Sequence, residues 1–208
     1  EVMIIKLGDD GVVRACQGER IVYPAPIRDG LILWYDFKGK KNTDVIKNVA
    51  EDLSGNGNHG DLQNFVFDVG SGYGNGVITD GVDDYIRTKN LQGAIFNNLT
   101  IEISIYSPNS TAQHDTSVLS SLGDVVVFYG NGWRYITSDA GSKIVSGADV
   151  NIFNLNGVKT TLSSVYNTND QSASYYQDGN ILGATTLPEG TTGFSMRYMN
   201  VMANAGGA

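Results

Sequence analysis

Residues 51–63 read EDLSGNGNHGDLQ, and the meaning of this stretch decides the fold. Residues 55–60 alone hold three glycines, two asparagines and one of the chain's two histidines. Glycine and asparagine accept positive φ at low cost, so the stretch reads as a tight connector. It is not a phosphate loop, because no Gly-Lys pair and no helical pattern follow it. DLSGNG (52–57) matches the opening of an EF-hand loop, but Gln63 stands where the bidentate glutamate is needed, and DLQNFVF (61–67) reads as a strand. His59 has no partner in the sequence that would make it a base. One ion reading stays open: calcium held by Asp52, Asn56 and loop carbonyls, with Asp83 as a further ligand.

Outward from this loop the hydrophobic period is two. TIEISIYS (100–107) sends Ile101, Ile103 and Ile105 to one side and Glu102, Ser104 and Tyr106 to the other. DVVVFYGNGWRYI (124–136) reads as strand, Asn131-Gly132 turn, strand, and SASYYQDGNILGATT (172–186) repeats the device at Asp178-Gly179. Asn156-Gly157 marks a third turn before VKTTLSSVY (158–166); LILWYDF (31–37) and YIRT (85–88) are further strands. Two segments carry helix signals: TDVIKNVAEDL (43–53), with Thr43 as N-cap, and a turn of helix in LQGAIFNNL (91–99). The expected fold class is an all-β sandwich. Residues 1–26 are expected to form a β lead-in, a hairpin over 1–23 followed by the stiff PAP joint, and residues 27–208 the main domain.

Composition narrows the function. The chain has 208 residues, 41% hydrophobic and 17% charged, enough for one sizeable core. A net charge of −8 and no cluster of lysine and arginine argue against nucleic acid as a partner. No apolar run approaches the roughly 20 residues that span a bilayer, so membrane insertion is not expected. The first residues lack the basic end and apolar run of a signal peptide. The single Cys16 excludes an internal disulfide framework and a cysteine zinc site.

Chemistry is sparse. Only His59 and His114 could serve as a histidine base, and no G-x-S-x-G elbow is present. The Glu-x-Asp-x-x-Glu pattern of a glucanase is absent, and Glu102 stands alone on its strand. Asp80, Asp83 and Asp84 cluster at a turn, where they read as turn-building side chains or as calcium ligands. Aromatic rings are the other resource, because they stack on sugar rings while amide and carboxylate edges take the hydroxyls. Tyr129, Trp133 and Tyr135, with Asn131 and Asp139 as polar partners, form the candidate glycan site; the competing reading puts such rings, like Trp34 and Phe37, in the core. Asn98-Leu99-Thr100 and Asn109-Ser110-Thr111 match the glycosylation sequon.

Three segments in order carry a resemblance over about residues 30–200. GLILWYDFKGKKNTD (30–44), AEDLSGNGNHGDLQNF (50–65) and TDGVDDYIRT (79–88) resemble the laminin-G-like, concanavalin A-like lectin/glucanase domains of Gram-positive phage and prophage tail proteins. SVYNTNDQSASYYQDGNILGA (164–184) is similar to that family's hairpin, and VVRACQGERIVYP (12–24) to the short segment that often precedes tail modules. The resemblance implies a jelly-roll sandwich used for adhesion on a virion, without catalysis. Its partners would be a host cell-surface glycan and other virion proteins in a multimer. The alternatives are a structural virion domain with no ligand and a carbohydrate-binding module of a secreted glycoside hydrolase. RYMNVMANAGGA (197–208) departs from the family's closing strand: either RYMNVMA replaces that strand or a sheet edge stays open to another chain.

Overall fold

In the computed structural model the period-two segments become strands. The structure describes residues 2–6, 12–17, 20–23, 30–89, 91, 94–106, 119–120, 125–129, 132–137, 143–146, 158–187, 189–196 and 200–201, and no helix forms among them. Three strands, β1 (Val2–Lys6), β2 (Val12–Gln17) and β3 (Arg20–Tyr23), make an antiparallel sheet of their own. The expected lead-in hairpin is thus a three-stranded meander. There follow β4 (Val49–Ala50), β5 (Gly60–Gln63), β6 (Gly72–Tyr73), β7 (Val77–Ile78), β8 (Tyr85–Thr88), β9 (Ala94–Phe96) and β10 (Asn98–Tyr106). The remaining strands are β11 (Leu119–Ser120), β12 (Val125–Tyr129), β13 (Gly132–Thr137), β14 (Lys143–Ser146), β15 (Lys159–Asn167), β16 (Ser172–Gln177), β17 (Asn180–Thr186), β18 (Phe194–Met196) and β19 (Asn200–Val201).

Two antiparallel sheets dominate. One has the order β11-β19-β8-β5-β4, the other β10-β15-β16-β17; β12-β13-β14 form a third, and β9 pairs with β18 and β6 with β7. The fold is an all-β sandwich, as the residue pattern predicts, and of the jelly-roll type that the resemblance implies. β19 lies between β8 and β11, with Asn200 opposite Arg87 and Val201 opposite Ile86. RYMNVMA therefore supplies a strand inside the five-stranded sheet.

Alternation explains the four-stranded sheet. Along β15, Thr160, Leu162, Ser164 and Tyr166 are buried while their neighbours are not. β10 runs against it with Ile103 opposite Leu162 and Ile105 opposite Thr160. On β16, Ala173 and Tyr175 continue the inward face. Tyr166 and Tyr175 meet edge to face, centroids 6.3 Å apart, and burial pushes the Tyr175 hydroxyl up to about 12. The turn to β17 is as the sequence predicts: Asp178 (φ 49°) and Gly179 (φ 78°) both take positive φ.

The five-stranded sheet is backed by a second cluster. Ala50, Leu62, Phe65, Tyr73 and Ile86 are buried, with Tyr35, Phe37, Phe67 and Val77 packed on them. Four aromatic pairs, Tyr35–Phe37, Phe37–Tyr73, Phe67–Tyr73 and Phe65–Phe67, bind this cluster at centroid distances of 5.9–6.2 Å.

Several expectations are corrected. Residues 43–53 form no helix: Val45 is 100% exposed and Ile46 66%, while Val49–Ala50 is a short strand that buries Ala50. The segment turns because Asp44 N donates to Lys41 O at 3.0 Å and Lys41 N to the Asp44 carboxylate at 2.9 Å. Asn42 then holds Tyr73 N at 2.6 Å and Asp68 O at 2.9 Å, which fastens the turn to the next loop. In 91–99, the described residues Ala94–Phe96 and Asn98–Leu99 are strand, again not helix. LILWYDF is no regular strand; it makes one bridge, Tyr35 to Asp52, because asparagine side chains take its carbonyls. Trp34 and Phe37 are half-buried rather than fully in the core. Tyr129 pairs with Gly132, so Gly132 begins β13 instead of lying in the predicted turn, and Gly130 and Asn131 lie outside the described residues. Asn156-Gly157, PAP and His114 lie outside the described residues.

Gly60 begins β5 where only a hydrogen fits. A Cβ there would sit 2.7 Å from Tyr35 Oη and 3.0 Å from Ile86 Cγ2. Tyr35 cannot easily retreat, since its hydroxyl donates to Asn58 O at 2.7 Å. Gly60→Ala is expected to cost about 1–3 kcal/mol, the range for overpacking a filled interior, measured by urea denaturation. An unchanged midpoint would refute this packing.

Candidate functional site

The opening loop is built around one carboxylate. Asp52 is 6% exposed and all its acceptor positions are taken. Oδ1 accepts from Trp34 N at 3.0 Å and Ser54 N at 2.9 Å; Oδ2 accepts from Ser54 Oγ at 2.8 Å and Asn58 N at 2.9 Å. Its own N–H donates to His59 Nδ1 at 3.0 Å. That bond leaves the ring proton on Nε2 and gives His59 a structural task in place of a base's. Asn56 Nδ2 reaches Leu31 O at 2.7 Å and Ile32 O at 3.1 Å, and Asn58 Nδ2 reaches Ile32 O at 2.9 Å. Gly55 (φ 96°) and Gly57 (φ 73°) let the chain turn between these side chains.

This arrangement sets the electrostatics. Burial alone would raise the Asp52 carboxyl, but the hydrogen bonds from Ser54, Trp34 and Asn58 outweigh it and hold the group below the usual carboxylate range. Burial raises the Tyr35 hydroxyl above its ordinary range, and the charges of Asp52 and Asp61 add to the effect. With four protein donors on its oxygens and Asn56 engaged through its amide, the Asp52 loop is a structural staple.

The third predicted calcium ligand, Asp83, belongs to a different place. Among the described residues Asp80, Asp83 and Asp84 form the one carboxylate cluster, and Asp52 is not part of it. The cluster sits on the turn into β8. Asp80 Oδ1 accepts from Val82 N at 2.8 Å and Asp83 N at 3.4 Å, and Asp84 Oδ2 accepts from Asp80 N at 2.9 Å. Turn building, one of the two readings of this motif, is thus observed. Sequence reasoning named all three aspartates but carried only Asp83 into the candidate ligand set, and it did not anticipate the burial of Asp84, which is 2% exposed. The signal was the strand period: Asp84, Ile86 and Thr88 share one parity, and all three are buried.

The glycan residues fall on the β12–β13 hairpin. Trp133 pairs with Phe128 and Tyr135 with Val126, while Tyr129 pairs with Gly132. Trp133 and Tyr135 therefore hold register positions of one parity and Tyr129 of the other. Asn131 and Asp139 lie outside the described residues. Elsewhere among the described residues, Tyr73, Tyr166 and Tyr175 are buried and Tyr106 is 60% exposed.

Comparison with known proteins adds the fold. No protein-family model matches the chain, and no curated protein matches it. Among solved structures, it is similar to the binding domain of botulinum neurotoxin DC in complex with rat synaptotagmin II, at TM-score 0.56 and 14% identity, over 86% of this chain and 45% of that one. It is similar to the botulinum neurotoxin serotype D ligand-binding domain in complex with N-acetylneuraminic acid, at TM-score 0.56 and 13% identity, over 76% and 41%. The serotype D binding domain matches at TM-score 0.53 and 11% identity, over 76% and 42%. The chain spans less than half the length of these structures. At such identities the likeness is one of fold.

Asp52→Asn is expected to destabilise the protein by about 2–4 kcal/mol at neutral pH, because an amide nitrogen would face backbone donors. The folded carboxyl is more acidic than the unfolded one. Its contribution is therefore complete above the ordinary value of about 3.9 and fades as pH falls through the folded value. Urea denaturation at pH 7 and pH 3 should show the gap between parent and variant narrowing in acid.

Proposed function

We propose that this chain is a non-catalytic carbohydrate-binding module, serving adhesion on a phage tail or similar virion appendage, with a host cell-surface glycan as ligand. The observation that carries the reading is a sandwich fold shared with binding domains, one of them in complex with N-acetylneuraminic acid. The motifs at 30–44, 50–65 and 79–88 support the virion setting. The β12–β13 hairpin puts Trp133 and Tyr135 at register positions of one parity, with Tyr129 on the other, and such rings offer flat apolar faces to a sugar. Binding of this type is weak per site and gains strength from copy number, which a multimer with other virion proteins would supply. The non-catalytic part draws on the two resources a hydrolase would use: His59 is held by the backbone, and Asp80 and Asp84 build a turn.

A structural virion domain is the second reading. The loops joined by Asn42 expose Val45 (100%) and Val69 (93%), apolar surface suited to a protein neighbour.

A glycan array with sialylated and neutral cell-surface sugars, read with a multivalent form of the chain, separates the two. The lectin reading expects binding that Trp133→Ala weakens at least tenfold while Tm stays within a few degrees. No binding to any glycan, or binding that Trp133→Ala leaves intact, contradicts it.

A further inference from the structure

We propose that Asp80, Asp83 and Asp84 form a calcium site whose occupation stabilises the centre of the five-stranded sheet. Two independent observations carry this. The first is geometric: one carboxylate oxygen from each residue lies within 4.8 Å of the others, so three negative charges share one small volume. Their mutual repulsion favours a cation between them. The second is a buried acceptor. Asp84 is 2% exposed, Oδ2 is engaged by Asp80 N, and Oδ1 is fully buried with no protein donor. A carboxylate oxygen taken from water without a partner is costly, and turn building accounts only for the other oxygen. A cation seated among the three side chains would satisfy Oδ1 and relieve the repulsion together.

The donor set selects the ion. All three ligands are hard oxygens, with no histidine or cysteine in the cluster, which disfavours zinc and the softer metals. The ligands come from an irregular turn with Gly81 at φ 76°, not from a rigid octahedral frame. Calcium tolerates such geometry and completes its six to eight oxygens with carbonyls and water; magnesium demands near-octahedral order. Asp80 and Asp83 are exposed, so the ion has an open approach.

The site is wired to the core. Asp84 directly precedes β8, which pairs with β5 and β19, and Ile86 two residues later is 1% exposed in the core. Asn64 Nδ2 donates to Asp83 O at 2.9 Å and ties the turn to the end of β5. An ion at this turn therefore acts on the sheet as a whole. The site is separate from the β12–β13 hairpin and does not depend on the glycan reading.

The test uses the whole chain, freed of metal with EDTA and dialysed. Calcium at about a hundredfold its Kd should raise Tm by roughly 5–10 °C. Magnesium chloride at equal ionic strength should give less than half that shift. Terbium should bind and luminesce on tyrosine excitation, since Tyr85 adjoins Asp84, and excess calcium should quench the signal. Asp84→Asn should abolish both responses. Because Asp84 is buried and its variant could fail to fold, Asp83→Asn provides the second arm: its side chain is exposed, and it should weaken calcium binding at least tenfold with the metal-free Tm within a few degrees. No calcium shift and no terbium signal in the parent chain would overturn the proposal. So would a shift that survives Asp83→Asn unchanged, or one that magnesium matches.

Discussion

One buried carboxylate organises the region that the rest of the five-stranded sheet is built on. Asp52 takes four hydrogen bonds from three residues, two of them within its own loop and one, Trp34, from a segment 18 positions earlier. A loop has many backbone donors and no ladder to place them in; a single ionised side chain with two oxygens can absorb several. The same loop then lends its asparagine amides to the carbonyls of Leu31 and Ile32. The segment 31–35 is thus held against the sheet without being a strand. What a β-ladder would have done is done by Asp52, Asn56 and Asn58.

From this anchor the chain delivers β5, whose first residue carries no side chain because Tyr35 occupies the space. β5 in turn pairs with β8, and β8 with β19, so the centre of the sheet depends on strands only two to four residues long. Short strands contribute little each, and their turns must supply the order. The aspartates at 80, 83 and 84 do so on one side, and Asn42, which holds Tyr73 and Asp68, on another. The loops are where charge and polar chemistry concentrate, on a scaffold that positions them, as in binding modules generally.

How much of this was legible in the sequence follows from which force decides each element. β10, β15 and β16 were readable because burial on one face imposes alternation directly on the residues. The Asp178-Gly179 turn was readable because positive φ restricts residue choice. The segments 31–37 and 43–53 were not, because side-chain to backbone hydrogen bonds override apolar spacing there, and spacing is all that periodicity sees. The role of Asp52 was half legible: its acidity invited an ion, and the structure shows three backbone amides and the Ser54 hydroxyl donating to its oxygens. The cluster of Asp80, Asp83 and Asp84 was legible, but the burial of Asp84 was not, because it belongs to the period of β8, which the sequence begins one residue later. The candidate glycan hairpin was legible in its pairing, although Gly132, read as part of the turn, begins β13.

The central claim is that the Asp52 carboxylate, rather than a strand ladder, fixes the 31–59 region. Residue-resolved amide hydrogen exchange tests it most directly. The amides of Trp34, Ser54 and Asn58 should be protected at neutral pH, and should lose protection together, well before the amides of β15, when the pH is lowered through the Asp52 titration. Exchange of these three amides at the rate of open loop residues, or protection that persists unchanged in acid, would contradict the account.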